Sequence, residues 1–329
     1  MPRDRLVAVT YSVDDNYRRI NSEVLGADAE LVMLTDLPEA DRAGVIASAE
    51  ALISWNPGRE LPAGSLAATQ QLQLIQLLSA GADSVDFAAI PDRIAIAGNV
   101  GAYAKPIAEH VLAMTLALAR RLPGRHAELA AGVFNQREPL VTLSGAVVAI
   151  LGFGGIGTTT ANLMRAFGAR IHAVNSTGQT SEPVEFAGTL DDLDKVLAAA
   201  DVLVISLPLT TRTAGLIGAR ELALMKPNSI VVNVARGTII DEQALYEHLR
   251  ANPGCYAGID TWWHEPGPDS SFRVDFPFFE LPNLLGSPHN SGIVPGALKV
   301  AARHAAENVL RYLRGGQVSG IMRRSDYLR

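Results

Sequence analysis

The sequence predicts an α/β protein with two doubly wound parallel sheets, and three observations lead to that fold class. Short apolar runs alternate with helical patterns along most of the chain, which is typical of parallel sheets covered by helices. The length of 329 residues suits about two domains. The stretch VVAILGFGGIG at 147–157 joins a β-branched strand to a Gly-x-Gly-x-x-Gly turn, a pattern typical of a dinucleotide-binding βαβ unit.

In the first part of the chain, the apolar runs predict five strands and the stretches between them predict helices. Strands are expected at 6–10, 31–34, 51–54, 74–78 and 94–97, and helices at 39–49 and 62–69. A long, mostly apolar helix is predicted at 106–121, ended by Pro123 and Gly124. Because this helix has few polar residues, we expect it to be buried between domains or subunits.

A second alternating series begins at Val147. Strands are expected at 147–151, 170–174, 202–206, 229–234, 256–260 and 284–286, and helices at 156–167, 191–199, 218–225, 241–250 and 295–314. Thr189 or Asp191 is placed to cap the helix at 191–199, and Asp241 the helix at 241–250. The last helix is expected to return to the first domain.

The glycine turn predicts a phosphate-binding site. Gly152 permits the tight turn, Gly154 lets backbone N–H groups approach a pyrophosphate, and Gly157 lets helix and strand pack closely. Gly155 and Ile156 begin a helix whose amino terminus favours an anion.

Composition narrows the function classes. The net charge is −6 without a dense Lys/Arg run, which argues against a nucleic-acid partner. The single cysteine, Cys255, excludes an internal disulfide and a cysteine-based metal site, and no metal site is expected. The start of the chain does not read as a signal peptide, and no apolar run is long enough to span a bilayer. We therefore expect a soluble, cytoplasmic protein without a membrane partner.

Three charged or titratable side chains follow separate predicted strands of the second series: Arg236, Glu265 and His289. Ligands of open α/β sheets bind outside the carboxyl ends of the strands, so these side chains are expected to converge. Arginine holds a carboxylate bidentately, and histidine exchanges protons near neutral pH. A carboxylate beside the histidine orients its ring and raises its pKa. The trio suits proton and hydride transfer at a carbon next to a carboxylate.

The chain resembles the D-isomer-specific 2-hydroxyacid dehydrogenase family over nearly its whole length. The motifs that carry the resemblance are SAGADSVD (79–86), NVGAYAKPIAEHVL (99–112), GFGGIG (152–157), SLPLTTRTAGLI (206–217), MKPNSIVVNVARGTIIDEQAL (225–245), GIDTWWHEP (258–266) and SPHNSG (287–292). The resemblance implies a Rossmann cofactor domain at 102–291, inserted into a flavodoxin-like substrate domain formed by 1–101 and 292–329. It also implies a homodimer formed through the long helix.

The resemblance assigns roles to particular residues. Arg236 would bind the carboxylate of a small 2-oxo or 2-hydroxy acid, and His289, paired with Glu265, would be the acid and base. Asp260 matches an aspartate that lies near the nicotinamide carboxamide. The substrate-binding set is Ser79, Ala80, Gly81, Tyr103, Arg236 and His289. The cofactor-binding set is Gly152, Gly154, Gly155, Ile156, Gly157, Asn175, Ser176, Thr177, Leu207, Pro208, Thr213, Val234, Ala235, Arg236, Asp260, His289 and Gly292.

The chain departs from the family pattern after the strand at 170–174. NAD-binding members usually have an acidic residue there, whereas this chain has Asn175 followed by Ser176 and Thr177. An asparagine does not repel a 2′-phosphate, so NADP is favoured over NAD. Because no Arg or Lys adjoins it, a relaxed site that uses both cofactors stays open.

Several residues keep two interpretations. Lys105 either helps bind an anionic substrate or is a solvated residue at a helix start. Trp55 and Asn56 either line the substrate pocket or simply pack. Trp262 and Trp263 either shape the site or belong to a dimer contact.

Two functions from different classes are considered for this protein. The leading one is an NAD(P)-dependent reductase of small 2-oxo acids such as glyoxylate or hydroxypyruvate. The alternative is a dinucleotide-sensing corepressor of the same fold, since fold alone does not decide function.

Overall fold

The computed structural model describes residues 5–12, 14–267 and 270–328. The chain divides into two compact units, Met1–Tyr103 with Pro295–Arg329, and Ala104–Val294. The strands in chain order are β1 (Leu6–Val9), β2 (Glu30–Met33), β3 (Ala51–Ser54), β4 (Leu74–Leu77), β5 (Ala95–Ala97), β6 (Val147–Leu151), β7 (Arg170–Val174), β8 (Phe186–Gly188), β9 (Val202–Ile205), β10 (Ile230–Asn233), β11 (Tyr256–Ile259) and β12 (Leu284–Gly286). The helices are α1 (Asp15–Leu25), α2 (Glu39–Ser48), α3 (Pro57–Glu60), α4 (Ala104–Ala119), α5 (Leu122–Ala130), α6 (Gly155–Ala166), α7 (Leu193–Ala199), α8 (Ala219–Leu224), α9 (Glu242–Ala251) and α10 (Ala297–Leu313).

The first unit is built on a five-stranded sheet with the order β2-β1-β3-β4-β5, and every pairing is parallel. Strands β3 and β4 are buried along their whole length, as expected for a sheet covered on both faces. Helix α10 packs against α1 and contributes Ala305, Ala306 and Val309 to the core on one face of the sheet. The carboxyl-terminal residues from Pro295 therefore complete the unit that the first residues begin.

The second unit is built on a seven-stranded parallel sheet with the order β12-β11-β10-β9-β6-β7-β8. The strand order reverses direction at β6, between β7 and β9, which is the topological switch point of a doubly wound fold. Helix α4 covers one face, where Val111, Met114 and Leu118 join the core of β6, β9 and β10. The residues that follow the seven strands at the carboxyl edge are Gly152, Asn175, Thr189, Ser206, Val234, Asp260 and Ser287.

The predicted fold class is confirmed, and the predicted strands agree with the observed ones to within one or two residues. Strand β8 was not predicted, because Phe186–Gly188 has one large apolar side chain followed by alanine and glycine and so gives no apolar run. The stretch predicted as a helix at 62–69 forms turns, and the short helix lies before it at Pro57–Glu60. That prediction was wrong because Gly64, inside the stretch, adopts a left-handed conformation with φ +74°, which a right-handed helix does not accommodate.

The predicted end of the long helix was also wrong in detail. Helix α4 ends at Ala119, and Pro123 and Gly124 lie inside the following helix, α5. Arg121 adopts a left-handed conformation with φ 50°, which separates the two helices, and Pro123 occupies the first turn of α5. Across the described residues, no helix combines the length and apolarity that crossing a bilayer requires.

Candidate active site

The glycine turn after β6 has the geometry that phosphate binding needs. Gly152 has φ +93°, and a Cβ there would lie 2.6 Å from the carbonyl of Ser206. A Cβ on Gly157 would lie 2.2 Å from the oxygen of Gly152. Both positions thus require glycine, one for backbone conformation and close approach, the other for close packing of α6.

Gly154 differs from these two glycines, because a Cβ on it would meet no atom within 4 Å. It precedes α6 as the N-cap residue and offers no side-chain hydrogen bond. The first N–H groups of a helix have no intrahelical partners, so those of Gly155 and Ile156 are left for an anion at the start of α6. The turn therefore fits a pyrophosphate, and the residues present can hold a dinucleotide there.

The turn after β7 is closed by the side chain of Asn175. Its Oδ1 accepts hydrogen bonds from the N–H groups of Thr177 (3.0 Å) and Gly178 (2.8 Å), while Nδ2 donates to the carbonyl of Gln179 (2.8 Å). The Asn175 amide thus shapes the turn, and the exposed residues beside it are Ser176 and Thr177. Any ribose or phosphate at this strand end meets those hydroxyls and no carboxylate on the turn.

The loops after β9 and β10 hold six further residues of the predicted cofactor set, one of which is Arg236. The Thr213 hydroxyl donates to the carbonyl of Pro208 (2.7 Å) and accepts from the N–H of Thr210 (2.8 Å), which closes the loop that also carries Leu207. Val234 and Ala235 are buried directly after β10. Asn233, which the sequence analysis did not single out, accepts from the Ala235 N–H (3.0 Å) and donates to the Arg236 carbonyl (2.9 Å).

The structure brings Glu265 and His289 together at the carboxyl edge of the second sheet. The Nδ1 of His289 lies 2.7 Å from Oε2 of Glu265, although the residues are 24 positions apart. Burial raises the pKa of Glu265, but the hydrogen bonds from His289 and from the Trp262 N–H, with the charges of His289 and Arg236, bring the pKa below its ordinary value. Glu265 is therefore ionised beside the ring, and its Oε1 is held by Trp262 (2.9 Å).

Arg236 comes from the loop after β10, and its half-buried guanidinium acts electrostatically on Glu265. Its NH1 donates to the carbonyl of Ala235 at 2.6 Å. The following glycine is what allows this arrangement, since a Cβ on Gly237 would lie 2.3 Å from the carbonyl carbon of Trp262. The RG pair thus lets the loops of Arg236 and Glu265 touch through their backbones.

Asp260 is fully buried at the end of β11. Its carboxylate accepts hydrogen bonds from the Ser287 hydroxyl (2.6 Å) and from the N–H groups of Asn290 (3.1 Å) and Ser291 (3.2 Å). Desolvation raises the pKa of Asp260, but these donors outweigh it and leave the pKa below its usual value. Gly292 continues the same turn. The sequence analysis missed Ser287, and the only local signal for it was its place in the SPHNSG motif.

Trp262 and Trp263 hold the loops in place. Trp262 is 6% exposed and donates from Nε1 to the carbonyl of Ser287 (2.8 Å). Trp263 donates from Nε1 to the carbonyl of Ile240 (2.7 Å) and stacks on Phe278 with ring centroids 5.2 Å apart. Both indoles are therefore packed inside the second unit and brace the loop that carries Glu265.

The substrate residues predicted in the early part of the chain belong to the first unit. Ser79, Ala80 and Gly81 form a turn beyond β4, in which the Ser79 hydroxyl donates to the carbonyl of Gly81 (2.8 Å). Tyr103 has a buried hydroxyl with no hydrogen-bond partner among the described residues, and burial raises its pKa to about 12. Lys105 is exposed near the start of α4.

Trp55 and Asn56 follow β3. Trp55 is exposed, and the N–H groups of Trp55 (3.1 Å) and Asn56 (2.9 Å) donate to the carboxylate of Glu60. Glu60 thereby holds the end of this strand.

A separate group of possible metal ligands lies beside the Glu265 loop. Glu242, His264 and Asp275 bring one ligating atom each within 4.8 Å of one another. His264 Nε2 lies 3.0 Å from Asp275 Oδ2, and Arg273 pairs with the same carboxylate. The arginine supplies positive charge and the histidine bridges the acids, so this group is a network of ion pairs.

The chain is similar to known proteins of one family. A family model described as the NAD binding domain of D-isomer specific 2-hydroxyacid dehydrogenases matches residues 112–291. The chain is similar to a D-3-phosphoglycerate dehydrogenase of Methanocaldococcus jannaschii, with 29% identity over 313 residues, covering 94% of this chain and 57% of that protein. The match spans about half the length of the phosphoglycerate dehydrogenases that the chain resembles.

Two further proteins resemble the chain over most of their own length. A glycerate dehydrogenase of Methylorubrum extorquens is 30% identical over 261 residues, which are 77% of this chain and 80% of that protein. The structure of a D-isomer specific 2-hydroxyacid dehydrogenase family protein from Aeromonas salmonicida superposes with a TM-score of 0.76 at 27% identity, covering 97% of this chain and 99% of that one.

Proposed function

Since the chain belongs to the D-isomer-specific 2-hydroxyacid dehydrogenase family, we propose that it transfers a hydride between a nicotinamide dinucleotide and carbon 2 of a small 2-hydroxy or 2-oxo acid. One observation carries the proposal. The hydrogen bond of 2.7 Å between His289 and Glu265 lies at the same sheet edge as the glycine turn after β6. A proton-transfer pair and a dinucleotide turn on one edge are what this reaction requires.

His289 is the proposed acid and base. Its Nδ1 is engaged by Glu265, and Nε2 has no protein partner among the described residues, so Nε2 is the atom that exchanges a proton with the substrate oxygen. In reduction, protonated His289 donates to the keto oxygen, and in oxidation it removes the hydroxyl proton. The ionised Glu265 stabilises the imidazolium and fixes its orientation.

Arg236 is the proposed carboxylate-binding residue. A guanidinium presents a planar fork of N–H donors that matches a carboxylate. Holding the carboxylate places carbon 2 of the substrate in a defined orientation. This raises the rate as well as the affinity, because the reacting atoms must be aligned. In the first unit, Ser79, Ala80, Gly81 and Tyr103 are proposed to bind substrate.

The nicotinamide ring supplies the hydride in reduction and accepts it in oxidation. The residues proposed to hold the dinucleotide are the glycine turn with Gly155 and Ile156 for the pyrophosphate, Asp260 for the nicotinamide end, and Ser176 and Thr177 for the adenosine ribose. We propose a preference for NADP over NAD. The support is that the turn after β7 carries exposed hydroxyls and an uncharged amide where a carboxylate would repel a 2′-phosphate.

The proposed substrates are small 2-oxo acids such as glyoxylate and hydroxypyruvate. The glycerate dehydrogenase among the relatives supports a short, hydroxylated substrate. A homodimer is also proposed, formed through the surface around α4 and α5. It is supported by exposed Leu122, Leu129 and Phe134, the last being 74% exposed, in a stretch of the second unit where α5 buries no residue. The proposed compartment is the cytoplasm, supported by Cys255, a buried free thiol.

The test is the oxidation of NADPH and of NADH, followed by absorbance, with glyoxylate, hydroxypyruvate, pyruvate, phenylpyruvate and longer 2-oxo acids. We expect turnover with the short acids and a higher kcat/KM with NADPH. Binding of the cofactor without turnover of any acid would contradict the proposal and would favour a dinucleotide-sensing protein.

A further inference from the structure

His289 has an unusual backbone conformation. Its φ is 50°, in the left-handed region that residues other than glycine seldom adopt. Such a conformation persists only where the surrounding structure holds it. The exposed side chain does little of this, because its ring is 40% exposed and has Glu265 as its protein partner. The backbone of the turn must therefore be held from elsewhere.

Asp260 holds that turn through three consecutive N–H groups. Its carbonyl accepts from the His289 N–H at 2.8 Å, and its carboxylate accepts from Asn290 (3.1 Å) and Ser291 (3.2 Å). A fully buried carboxylate is tolerated only when its oxygens are hydrogen bonded, so the position of Asp260 and the shape of the turn depend on each other.

The direction of the remaining hydrogen bonds follows from chemistry. An ionised carboxylate only accepts, so at the 2.6 Å contact the Ser287 hydroxyl donates its single proton to Asp260 Oδ1. At the 2.9 Å contact between Ser287 Oγ and His110 Nε2, the hydroxyl has no proton left, and the imidazole must donate. His110 thus carries its proton on Nε2. The Nε2–H of His110, on α4, donates to Ser287, and the Ser287 hydroxyl donates to Asp260; we call these two hydrogen bonds the chain of donors.

We propose that His110 and Ser287 are positioning residues that keep the Asp260 carboxylate in the orientation which holds His289 against Glu265. The expected loss of turnover in variants of these residues rests on the proposed function. The expected change in the orientation of the His289 ring does not. The hydrogen bonds of the His110 and Ser287 side chains lead to each other and to Asp260, whereas the ring of His289 is hydrogen bonded to Glu265. Their influence passes through Asp260 and the turn from Ser287 to Ser291.

Two pairs of variants test the chain of donors in the full-length protein. His110→Leu removes the Nε2–H at similar size, whereas His110→Gln keeps an N–H donor at the same distance from the backbone. Ser287→Ala removes the hydroxyl. Ser229→Ala is its matched control, since Ser229 is a buried serine directly before β10 whose hydroxyl donates to Cys255 Sγ at 3.8 Å. Ser287→Cys, which keeps the shape with a weaker donor, replaces Ser287→Ala if that variant does not fold.

The first readout is the ring Nδ1–H signal of His289 in the protein labelled with nitrogen-15 on its seven histidines, identified by its absence in His289→Gln. We expect this signal in the wild type, His110→Gln and Ser229→Ala, and its loss through exchange in His110→Leu and Ser287→Ala. The second readout is turnover. A displaced catalytic group lowers kcat by roughly 10- to 100-fold, whereas KM for the acid changes little because Arg236 is untouched.

The outcomes separate this inference from the proposed function. Persistence of the ring signal in both His110→Leu and Ser287→Ala overturns the positioning role, whatever the turnover. If the ring signal is lost in Ser287→Ala but persists in His110→Leu, Ser287 is a positioning residue and His110 is not. If the wild type turns over no 2-oxo acid, the proposed function fails, and the ring signal still decides whether His110 and Ser287 position His289.

Discussion

Two regions at one edge of the second sheet are built on opposite principles. The glycine turn at 152–157 works through backbone N–H groups and through the space that absent side chains leave. The proposed catalytic region works through charged side chains from three separate loops. The Glu265 loop is hydrogen bonded to His289 and, through Trp263, to Ile240 in the loop after Arg236. The two regions should therefore respond to different substitutions. Adding a methyl group to a glycine is expected to impair the glycine turn, whereas removing a charged side chain is expected to impair the region of Arg236, Glu265 and His289.

The largest effect is expected at His289. His289→Ala removes the proton donor from the catalytic region and leaves the glycine turn intact, so kcat should fall by roughly 10²- to 10⁴-fold while the dissociation constant of the cofactor stays nearly unchanged. Stopped-flow turnover and fluorescence titration of NADPH measure the two quantities. His248→Ala, a change at a histidine of α9, is the control. An unchanged kcat would remove His289 from the mechanism.

Two glycines, one from each region, contrast a position that faces open space with one that contacts backbone. A Cβ on Gly237 would lie 2.3 Å from the backbone of Trp262, whereas a Cβ on Gly154 would meet nothing within 4 Å. Gly237→Ala should therefore lower the free energy of unfolding by about 1–3 kcal/mol and disturb Arg236. Gly154→Ala should leave stability unchanged and weaken cofactor binding by at least about tenfold, or 1.4 kcal/mol.

Urea unfolding and cofactor titration of both glycine variants check this contrast. Gly44→Ala, in α2 with nothing within 4 Å of a Cβ, serves as the control for a harmless methyl group. Equal losses of stability in Gly154→Ala and Gly237→Ala would refute the distinction between open space and backbone contact.

Arg236→Lys tests whether geometry or charge matters in the catalytic region. Lysine keeps the positive charge but loses the planar fork, so KM for the 2-oxo acid should rise roughly tenfold to a hundredfold, as a hydrogen bond to a charged group contributes about 1.5–3 kcal/mol. Cofactor affinity should not change. Steady-state kinetics measures KM, and a value equal to the wild type would argue against a bidentate carboxylate contact.

A smaller effect is expected at the adenosine end of the cofactor site. Asn175→Asp keeps an oxygen that accepts from Thr177 and Gly178, and adds a negative charge. The ratio of kcat/KM for NADPH to that for NADH should fall several-fold, because a carboxylate repels the 2′-phosphate. Asn252→Asp, at the end of α9, is the control. No change in the ratio would withdraw Asn175 from cofactor selection.

The smallest effect concerns stability against pH. The pKa of Glu265 lies below its ordinary value of 4.5, so its contribution to folding is complete above that value and is lost as the pH falls through the lowered pKa. The difference in unfolding free energy between the wild type and Glu265→Gln should therefore narrow on acidification. Urea unfolding from about pH 6 to about pH 3 tests this, with the exposed Glu280→Gln as the control. A difference that widens in acid would contradict the sign.

The two regions also differ in how much of each could be predicted. The glycine turn is encoded by neighbouring residues, so the strand, the glycine spacing and the start of the helix can all be predicted from the eleven residues 147–157. Thr213 and Asn175 were recognised as loop residues, but their engagement inside their own loops was not, because a hydrogen-bond partner two to five positions away depends on backbone angles that a sequence does not state.

The sequence by itself determined the fold class, the positions of most strands in the two α/β series and the identity of the residues at those strand ends. These follow from apolar periodicity and from local turn chemistry, both of which are short-range. It also placed Arg236, Glu265 and His289 at one sheet edge, because the carboxyl ends of parallel strands share an edge.

Only the tertiary structure decided how that edge is held together. The contacts of Trp262 with Gly237 and Ser287, and the chain from His110 through Ser287 to Asp260, join residues 25 to 177 positions apart. No local pattern encodes such contacts, since they arise when β10, β11 and β12 pair and bring their loops side by side. The proposed reactive side chains can thus be identified from the sequence, whereas the hydrogen bonds that orient them depend on strand pairing.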